Sequence, residues 1–217
     1  MMDILLVGCG GCMRELAWQI LEDNRSGHRW NIVGYVDNEP PAGGEDPAVS
    51  GFRIPYFGND DDLLSSTCDR NVVLSLGSSS LRAKLAEKCR KNPHLHFPNV
   101  VLGSASVCDD VRMGHGCIVT MDARVSTNVL LGDFVFLNTG SIVCHDGTVG
   151  SFATLNPGAR LAGAVTVGEC TEIGMNAAVI QGIKIGRDSV IGAGAVVIRD
   201  VEDSSTMVGI PARKIAF

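Results

Sequence analysis

No apolar run in the 217-residue chain is long enough to cross a membrane. The longest early run, Ile4 to Val7, falls far short of the roughly 20 residues a spanning helix needs. That stretch also has no basic flank and no small-residue cleavage site, so no secretory signal is expected, and the cytoplasm is the expected compartment. Charge is scarce too, at 19% of residues. A net charge of −6 argues against affinity for a phosphate backbone, which clustered Lys and Arg would supply. It leaves room for one nucleotide held by backbone amides. Eight cysteines in an unexported chain are expected to stay reduced. Cys9 and Cys12 form a lone CxxC with no second pair at zinc-finger spacing, and no three histidines cluster, so no metal is expected. What is plentiful is apolar residues at 45% and glycine at 26 residues, enough to bury a core.

From Asn99 onward the sequence repeats every six residues. An aliphatic side chain stands at every sixth position from Val101 through Val119, Leu137, Leu155 and Ile173 to Val197, 17 in 17 places without an insertion. Glycine follows that position at Gly114, Gly132, Gly150, Gly168, Gly174, Gly186 and Gly192, where sharp turns beside the core are expected. Two places earlier the residue is small or β-branched, as at Ala105, Ala123, Ala153, Ala159 and Ala177. A period of six fits neither an α-helix nor a heptad coiled coil. It suits short strands joined by tight turns, three to a coil, so that residues 18 apart stack. At roughly 4.8 Å per coil the array forms a triangular column about 26 Å tall. Its hand does not follow from the period.

The first half alternates strand and helix. Ile4–Val7 reads as a buried strand, followed by the Gly8-Cys9-Gly10-Gly11 turn and a helix over Cys12–Leu21. Strands follow at Asn31–Val36, ending in Asp37, and at Asn71–Leu76, ending in Gly77-Ser78-Ser79-Ser80 before a helix to about Arg90. These features describe a small Rossmann-like parallel α/β domain over residues 1–97, followed by the hexad column and a C-terminal tail over 98–217. The stretch from Asn38 to Phe52 reads as a loop.

Gly8-x-Gly10-Gly11 after a strand is arranged to hold a phosphate on backbone N–H groups, although the full dinucleotide fingerprint lacks its third glycine at Met13. Asp37, closing the next strand, suits a ribose or base. An ordinary tight turn is the competing reading. Of five histidines, His28 belongs to a polar loop, and His94 and His96 are spaced to share a strand edge. His115 and His145 lie on different columns. His145 is followed by Asp146. A histidine suits proton abstraction near neutrality, and a neighbouring carboxylate fixes its tautomer. A hydrophilic corner pair with no task is the alternative. Thr127 and Gly163 stack on either side of His145, and Gly163 is expected to leave space there. Asn138 and Asn156 stack with Thr120 as a structural amide ladder. Cys170 is the expected reactive thiol.

Taken with Tyr35-Val36-Asp37, Ser141 to Asp146, Val149 to Phe152, Ile191 to Val197 and Val208 to Arg213, these motifs resemble the sialic-acid-acetyltransferase-type (NeuD/PglD-like) sugar acetyltransferases of the left-handed β-helix superfamily. The resemblance implies the left hand. It also implies direct acetyl transfer from acetyl-CoA to the amino group of a UDP- or dTDP-linked amino-deoxy sugar. His145 would be the general base and Asp146 its acidic partner, with a backbone N–H near Gly163 for the oxyanion. The implied nucleotide-sugar site is Gly10, Gly11, Cys12, Asp37, Asn38 and Gly77, and the implied acetyl-CoA contacts are Thr154, Gly163, Met175 and Ala193. A homotrimer with active sites between prisms is implied as well, with no nucleic acid and no membrane insertion. Many relatives carry histidine where Cys12 and Thr154 stand. O-acetylation of sialic acid or another sugar, and a non-catalytic hexapeptide scaffold or nucleotide-binding module, remain as alternatives.

Overall fold

A computed structural model describes residues 1–27, 29–39, 48–49 and 51–215, so His28 and most of the Asn38–Phe52 stretch lie outside the described residues. The chain divides into two compact units, residues 1–77 with 81–98, and residues 78–80 with Asn99 onward.

The first unit contains β1 (Met2–Val7), α1 (Gly11–Asn24), β2 (Trp30–Val36), β3 (Ala48–Val49), β4 (Phe52–Arg53), β5 (Tyr56–Gly58), α2 (Asp60–Leu64), β6 (Arg70–Leu74), β7 (Leu95–His96) and, from Leu81 onward, α3 (Ser79–Cys89). Five strands form a parallel sheet in the order β5-β2-β1-β6-β7, and β3 pairs antiparallel with β4 as a separate hairpin. β1 lies at the centre, with Ile4, Leu5, Leu6 and Val7 all buried, which is why it reads as an unbroken apolar run. α1 buries Met13, Leu16, Ala17 and Ile20, the i, i+3, i+4, i+7 stripe of an amphipathic helix. α2 is started by a reciprocal box in which Asn59 accepts from the Asp62 N–H and Asp62 accepts from the Asn59 N–H. The chain steps outward from β1 through β2 to β5, then returns to β6 on the other side of β1. A crevice therefore opens at the carboxyl ends of β1 and β6, the place where open α/β sheets bind ligands.

The second unit is a left-handed parallel β-helix. From Val100 to Val197 its strands are two residues long and pair in parallel in three sheets, one per face of the prism. Each strand pairs with the one 18 residues on, as in Val125 with Val143, Val143 with Leu161 and Leu161 with Val179. The second residue of each strand points inward. Together with Ala123, Ala153, Ala159 and Ala177 these side chains form one continuous core. Each buried aliphatic contributes about 1.5–3 kcal/mol, so the uninterrupted hexad register is what makes the column stable. After the last regular coil, Thr206–Val208 joins one sheet and Arg213–Ile215 pairs with it antiparallel. This antiparallel pair ends the stacking on that face.

The corners depart from the glycine expectation. Gly114, Gly132, Gly150, Gly168 and Gly186 do not supply the left-handed turn. They are needed because the next coil's backbone lies against them. A β-carbon on Gly132 would stand 2.5 Å from the Ser151 nitrogen, and one on Gly150 would stand 2.7 Å from the Glu169 nitrogen. The left-handed residues sit elsewhere. At one corner they are Asn128, Asp146, Ala164 and Gly182, with φ of 55°, 59°, 56° and 76°. Asparagine and aspartate tolerate that conformation better than other non-glycine residues.

Candidate active site

His145 stands at the corner that follows the strand Ile142–Val143, and the next residue, Asp146, takes the left-handed turn. This turn folds the carboxylate back along the imidazole, bringing Oδ2 to 2.8 Å from His145 Nδ1. Both side chains are about half exposed, at 51% and 52%. Asp146 is held below the ordinary carboxylate range, first by the hydrogen bond from Asn128 and then by the one from His145. An ionised Asp146 can only accept, so Nδ1 carries the proton and donates it, leaving the Nε2 lone pair to act as a base.

The coil above completes the corner. The Cε1–Nε2 edge of the ring lies over Gly163, where a β-carbon would stand 2.5 Å from Nε2. The space expected above His145 is thus occupied by the ring itself. Ala164 donates its N–H to the His145 carbonyl at 2.8 Å, and Gly163 accepts from Gly182 at 3.0 Å. The N–H of Gly163 makes no hydrogen bond among the described residues. A base nitrogen and an unused backbone donor therefore meet at one glycine.

The other residues implied for the acetyl donor are distributed over the prism. Met175 and Ala193 stack one coil apart at the opposite edge of the face that ends in His145. Both are exposed, and the Gly194 N–H bonds to the Met175 carbonyl at 2.8 Å. Thr154 is buried, with its hydroxyl 3.1 Å from that of Ser79, which groups with the prism. Asn138 and Asn156 do not form an amide ladder by their side chains. Asn138 accepts from the Thr139 N–H at 2.8 Å, and Asn156 donates to the Ile173 carbonyl at 3.1 Å. A polar ladder runs instead through Asp110, Asn128 and Asp146 at 18-residue spacing, with Asp110 accepting the Asn128 backbone N–H and the Asn128 amide donating to Asp146. Stepping back 18 residues from Asp146 is the signal that picks out Asn128 and Asp110. Neither was among the candidate residues.

Within the α/β unit, a cavity of about 270 Å³ opens at the carboxyl ends of the central strands, lined by Gly8, Asp37, Asn38, Asp60, Lys84 and Lys88 among others. Asp37 shapes this cavity. Its Oδ2 accepts the Cys9 N–H at 2.7 Å and its Oδ1 the Glu39 N–H at 2.9 Å, pinning the glycine turn to the end of β2. The Asn38 amide is engaged with Asp60, donating to Oδ2 at 2.9 Å and accepting the Asp60 N–H at 3.0 Å. Gly10 caps α1 without a side chain, and β-carbons on Gly10 and Gly11 would meet nothing within 4 Å, so the turn is open to an approaching group. Cys12 sits in the first turn of α1, and Gly77 is near enough that a β-carbon there would touch the Cys12 side chain at 3.9 Å. Burial pushes the Cys12 thiol up to about 11, against the pull of Arg82. Arg82 is itself buried and donates to the Leu76 carbonyl at 2.7 Å, fixing the segment that leads to Gly77. Lys84, Lys88 and Arg82 were not among the candidate residues either, because α3 carries no periodic polar pattern that sets them apart.

The other described histidines lie away from this corner. The His115 N–H bonds to Asp133 at a different corner, 2.9 Å away. His94 Nδ1 and His96 Nε2 both face Asp69 Oδ1, at 3.0 and 3.4 Å, at the edge strand β7. Among the described residues no group of three His, Cys, Asp or Glu side chains is arranged to hold a metal ion. No helix among them is long and apolar enough to cross a membrane.

Comparison with known proteins places this geometry. Residues 3–89 match the PglD N-terminal domain, and residues 164–199 match the bacterial transferase hexapeptide repeats. The structure resembles PerB from Caulobacter crescentus, solved in complex with CoA and GDP-perosamine. The identity is 33% over 99% of this chain and 97% of that one, with a TM-score of 0.83. A histidine-to-alanine variant of that GDP-perosamine N-acetyltransferase matches with 32% identity, the same coverage and a TM-score of 0.84. The acetyltransferase domain of PglB from Neisseria gonorrhoeae, in complex with acetyl coenzyme A, matches with 25% identity over 98% of each chain and a TM-score of 0.86. A comparison with curated proteins finds no match. The chain belongs to the NeuD/PglD-like sugar acetyltransferases of the left-handed β-helix superfamily, a family of acetyl-CoA-dependent acyltransferases.

Proposed function

We propose that the protein transfers acetyl from acetyl-CoA to the amino group of a nucleotide-linked amino-deoxy sugar, with His145 as general base and no covalent enzyme intermediate. The observation that carries this reading is the meeting of His145 Nε2 and the unused Gly163 N–H at one prism corner. The amine nitrogen attacks the thioester carbonyl while Nε2 takes its proton. Negative charge gathers on the carbonyl oxygen, where a preformed backbone donor such as Gly163 N–H is most effective. The C–S bond then breaks, and the imidazolium returns the proton to the departing thiolate. Asp146 orients the ring and stabilises its charged form.

The α/β unit is assigned the nucleotide. Its support is the open Gly10–Gly11 turn, together with Lys84 and Lys88 on the wall of the crevice. The relative at 33% identity was solved with GDP-perosamine. Guanine therefore joins uracil and thymine as a base to test. A homotrimer is proposed as well. The Met175–Ala193 and His145–Gly163 corners lie on opposite edges of one face, so packing between copies would set one edge against the other. Met175, Ile180 and Ile198 are exposed apolar side chains suited to such burial.

CoA release measured with a panel of UDP-, dTDP- and GDP-linked amino sugars tests the reading. Turnover of at least one, with loss of activity when its amine is replaced by hydroxyl, is the expected result. Transfer to the hydroxyl sugar, or to free sialic acid, would instead establish O-acetylation. Sedimentation analysis of the intact protein checks the trimer, which a monomer would rule out.

A further inference from the structure

We propose that Asn128 is a positioning residue for the His145–Asp146 pair, and that Asp110 in turn holds Asn128. The inference rests on His145 acting as the base. It adds a third and a fourth member, one and two coils away.

The chain of contacts is continuous. Asp110 Oδ2 accepts from the Thr127 hydroxyl at 2.5 Å and from the Asn128 backbone N–H at 3.0 Å. Asn128 Nδ2 donates to Asp146 Oδ1 at 2.7 Å. The other oxygen of that carboxylate, Oδ2, faces His145 Nδ1 at 2.8 Å. Asp146 thus has each oxygen engaged by a different donor, so the carboxylate cannot turn about its own axis without losing one of them. These are the only hydrogen bonds its side chain makes among the described residues. Without the amide, the half-exposed carboxylate is free to rotate and to be drawn off by water, and the ring loses its fixed tautomer.

Residue type fits the task. Position 128 has φ of 55°, a conformation asparagine accepts readily, so the backbone itself favours Asn, Asp or Gly here. Of these, only asparagine supplies a neutral donor. An aspartate would set a second negative charge against Asp146. Among the described residues, the titratable groups along this chain of contacts are His145, Asp146 and Asp110, with the Cys108 side chain hydrogen-bonded to Asp110 and the free Cys144 next to His145 in sequence. The coil above contributes Gly163 and Ala164, which carry no charge.

The test compares Asn128→Asp, which keeps the shape and the turn but reverses the polarity, with Asn128→Gly, which keeps the turn and removes the side chain. Both are read in two ways. One is the pH profile of kcat/KM with acetyl-CoA and an accepted amino sugar. The other is the titration of the His145 Cε1–H resonance in the substrate-free protein. We expect both variants to lose about 10- to 100-fold in kcat, with KM for acetyl-CoA unchanged. In Asn128→Asp alone, the acid limb of the profile and the His145 titration move upward by about one pH unit, because a second carboxylate favours the imidazolium. Fold loss would lower the melting temperature and collapse the dispersed spectrum, which separates it from an unshifted His145 titration in a folded variant. An unshifted His145 titration in Asn128→Asp, or wild-type kcat in both variants, overturns the proposal. If no sugar is turned over, the acetyl-transfer reading fails on its own. The resonance titration still decides whether Asn128 sets the pair.

Discussion

Gly163 lies directly against the ring of His145. A β-carbon added there would collide with Cε1 and stand 2.5 Å from Nε2, and 3.1 Å from Nδ1. Gly132, Gly150, Gly168, Gly174 and Gly186 make room for the next coil's backbone. Gly163 makes room for a side chain, and that side chain is the proposed base. Gly163→Ala is therefore expected to tilt the imidazole off Asp146 while leaving the column intact, since the backbone here is not in a glycine-only conformation. A shift of about 1 Å at a reacting group costs on the order of 100-fold in rate. The melting temperature should stay close to wild type while kcat falls. A variant with full activity would show that the ring need not rest where it does.

His145→Ala removes the base itself and should lower kcat by about 100- to 10,000-fold, the range typical of a positioned proton acceptor. Asp146→Asn leaves the ring in place but withdraws the ionised acceptor from Nδ1, so a smaller loss is expected, together with less control of the tautomer. Steady-state rates for the two variants side by side check the ordering. If Asp146→Asn were the more damaging of the two, the carboxylate would have a role beyond orienting the ring.

The same corner separates what could be read from the chain alone from what could not. The hexad register of inward aliphatics, from Val101 to Val197, dictates three-walled stacking, and the strands fall where that register puts them. His145 and Asp146 were visible because they adjoin in sequence. Asn128 and Asp110 were not, because their side chains point along the column axis and the polar ladder carries no periodic apolar signal. The role of the glycines was misread for a related reason. An α-carbon needed for close approach and one needed for a left-handed turn look identical in sequence, and only the paired coils distinguish Gly132 from Gly182. In the α/β unit, β1 and α1 announce themselves by apolar periodicity. β5, α2 and β7 are too short for any periodicity to register.

The thiol beside the glycine turn gives a prediction about pH. Burial raises Cys12 to about 11, so the thiolate is suppressed at neutral pH and the residue is unsuited to nucleophilic or redox chemistry. Cys9 is raised as well, first by burial and then by its hydrogen bond with Asp37. Iodoacetamide at pH 7 to 8 should therefore modify the exposed Cys68 and Cys108 first and leave Cys12 intact. Cys170, partly covered at its corner, should follow the exposed pair. Peptide mass spectrometry after timed alkylation gives the order, and early labelling of Cys12 would contradict the burial of its thiol.

Asp37 supplies the last test, because its role here is architectural. Both carboxylate oxygens are engaged by backbone N–H groups, Cys9 from the glycine turn and Glu39 from the segment after β2. Asp37→Ala leaves those two donors without their acceptor. A hydrogen bond to a charged group contributes about 1.5–3 kcal/mol, and of the two only the bond from Cys9 is part-buried, so the α/β unit should lose about that much stability. Its turn would no longer hold Gly10 and Gly11 in line with the start of α1. The expected kinetic result is a raised KM for the nucleotide sugar, with KM for acetyl-CoA unchanged and kcat reduced little. Asp37→Asn, which keeps one acceptor oxygen, should fall between wild type and alanine in both melting temperature and KM. Equal loss for acetyl-CoA would mean that the aspartate also supports the prism site, and an unchanged sugar KM would mean that the turn does not receive the nucleotide.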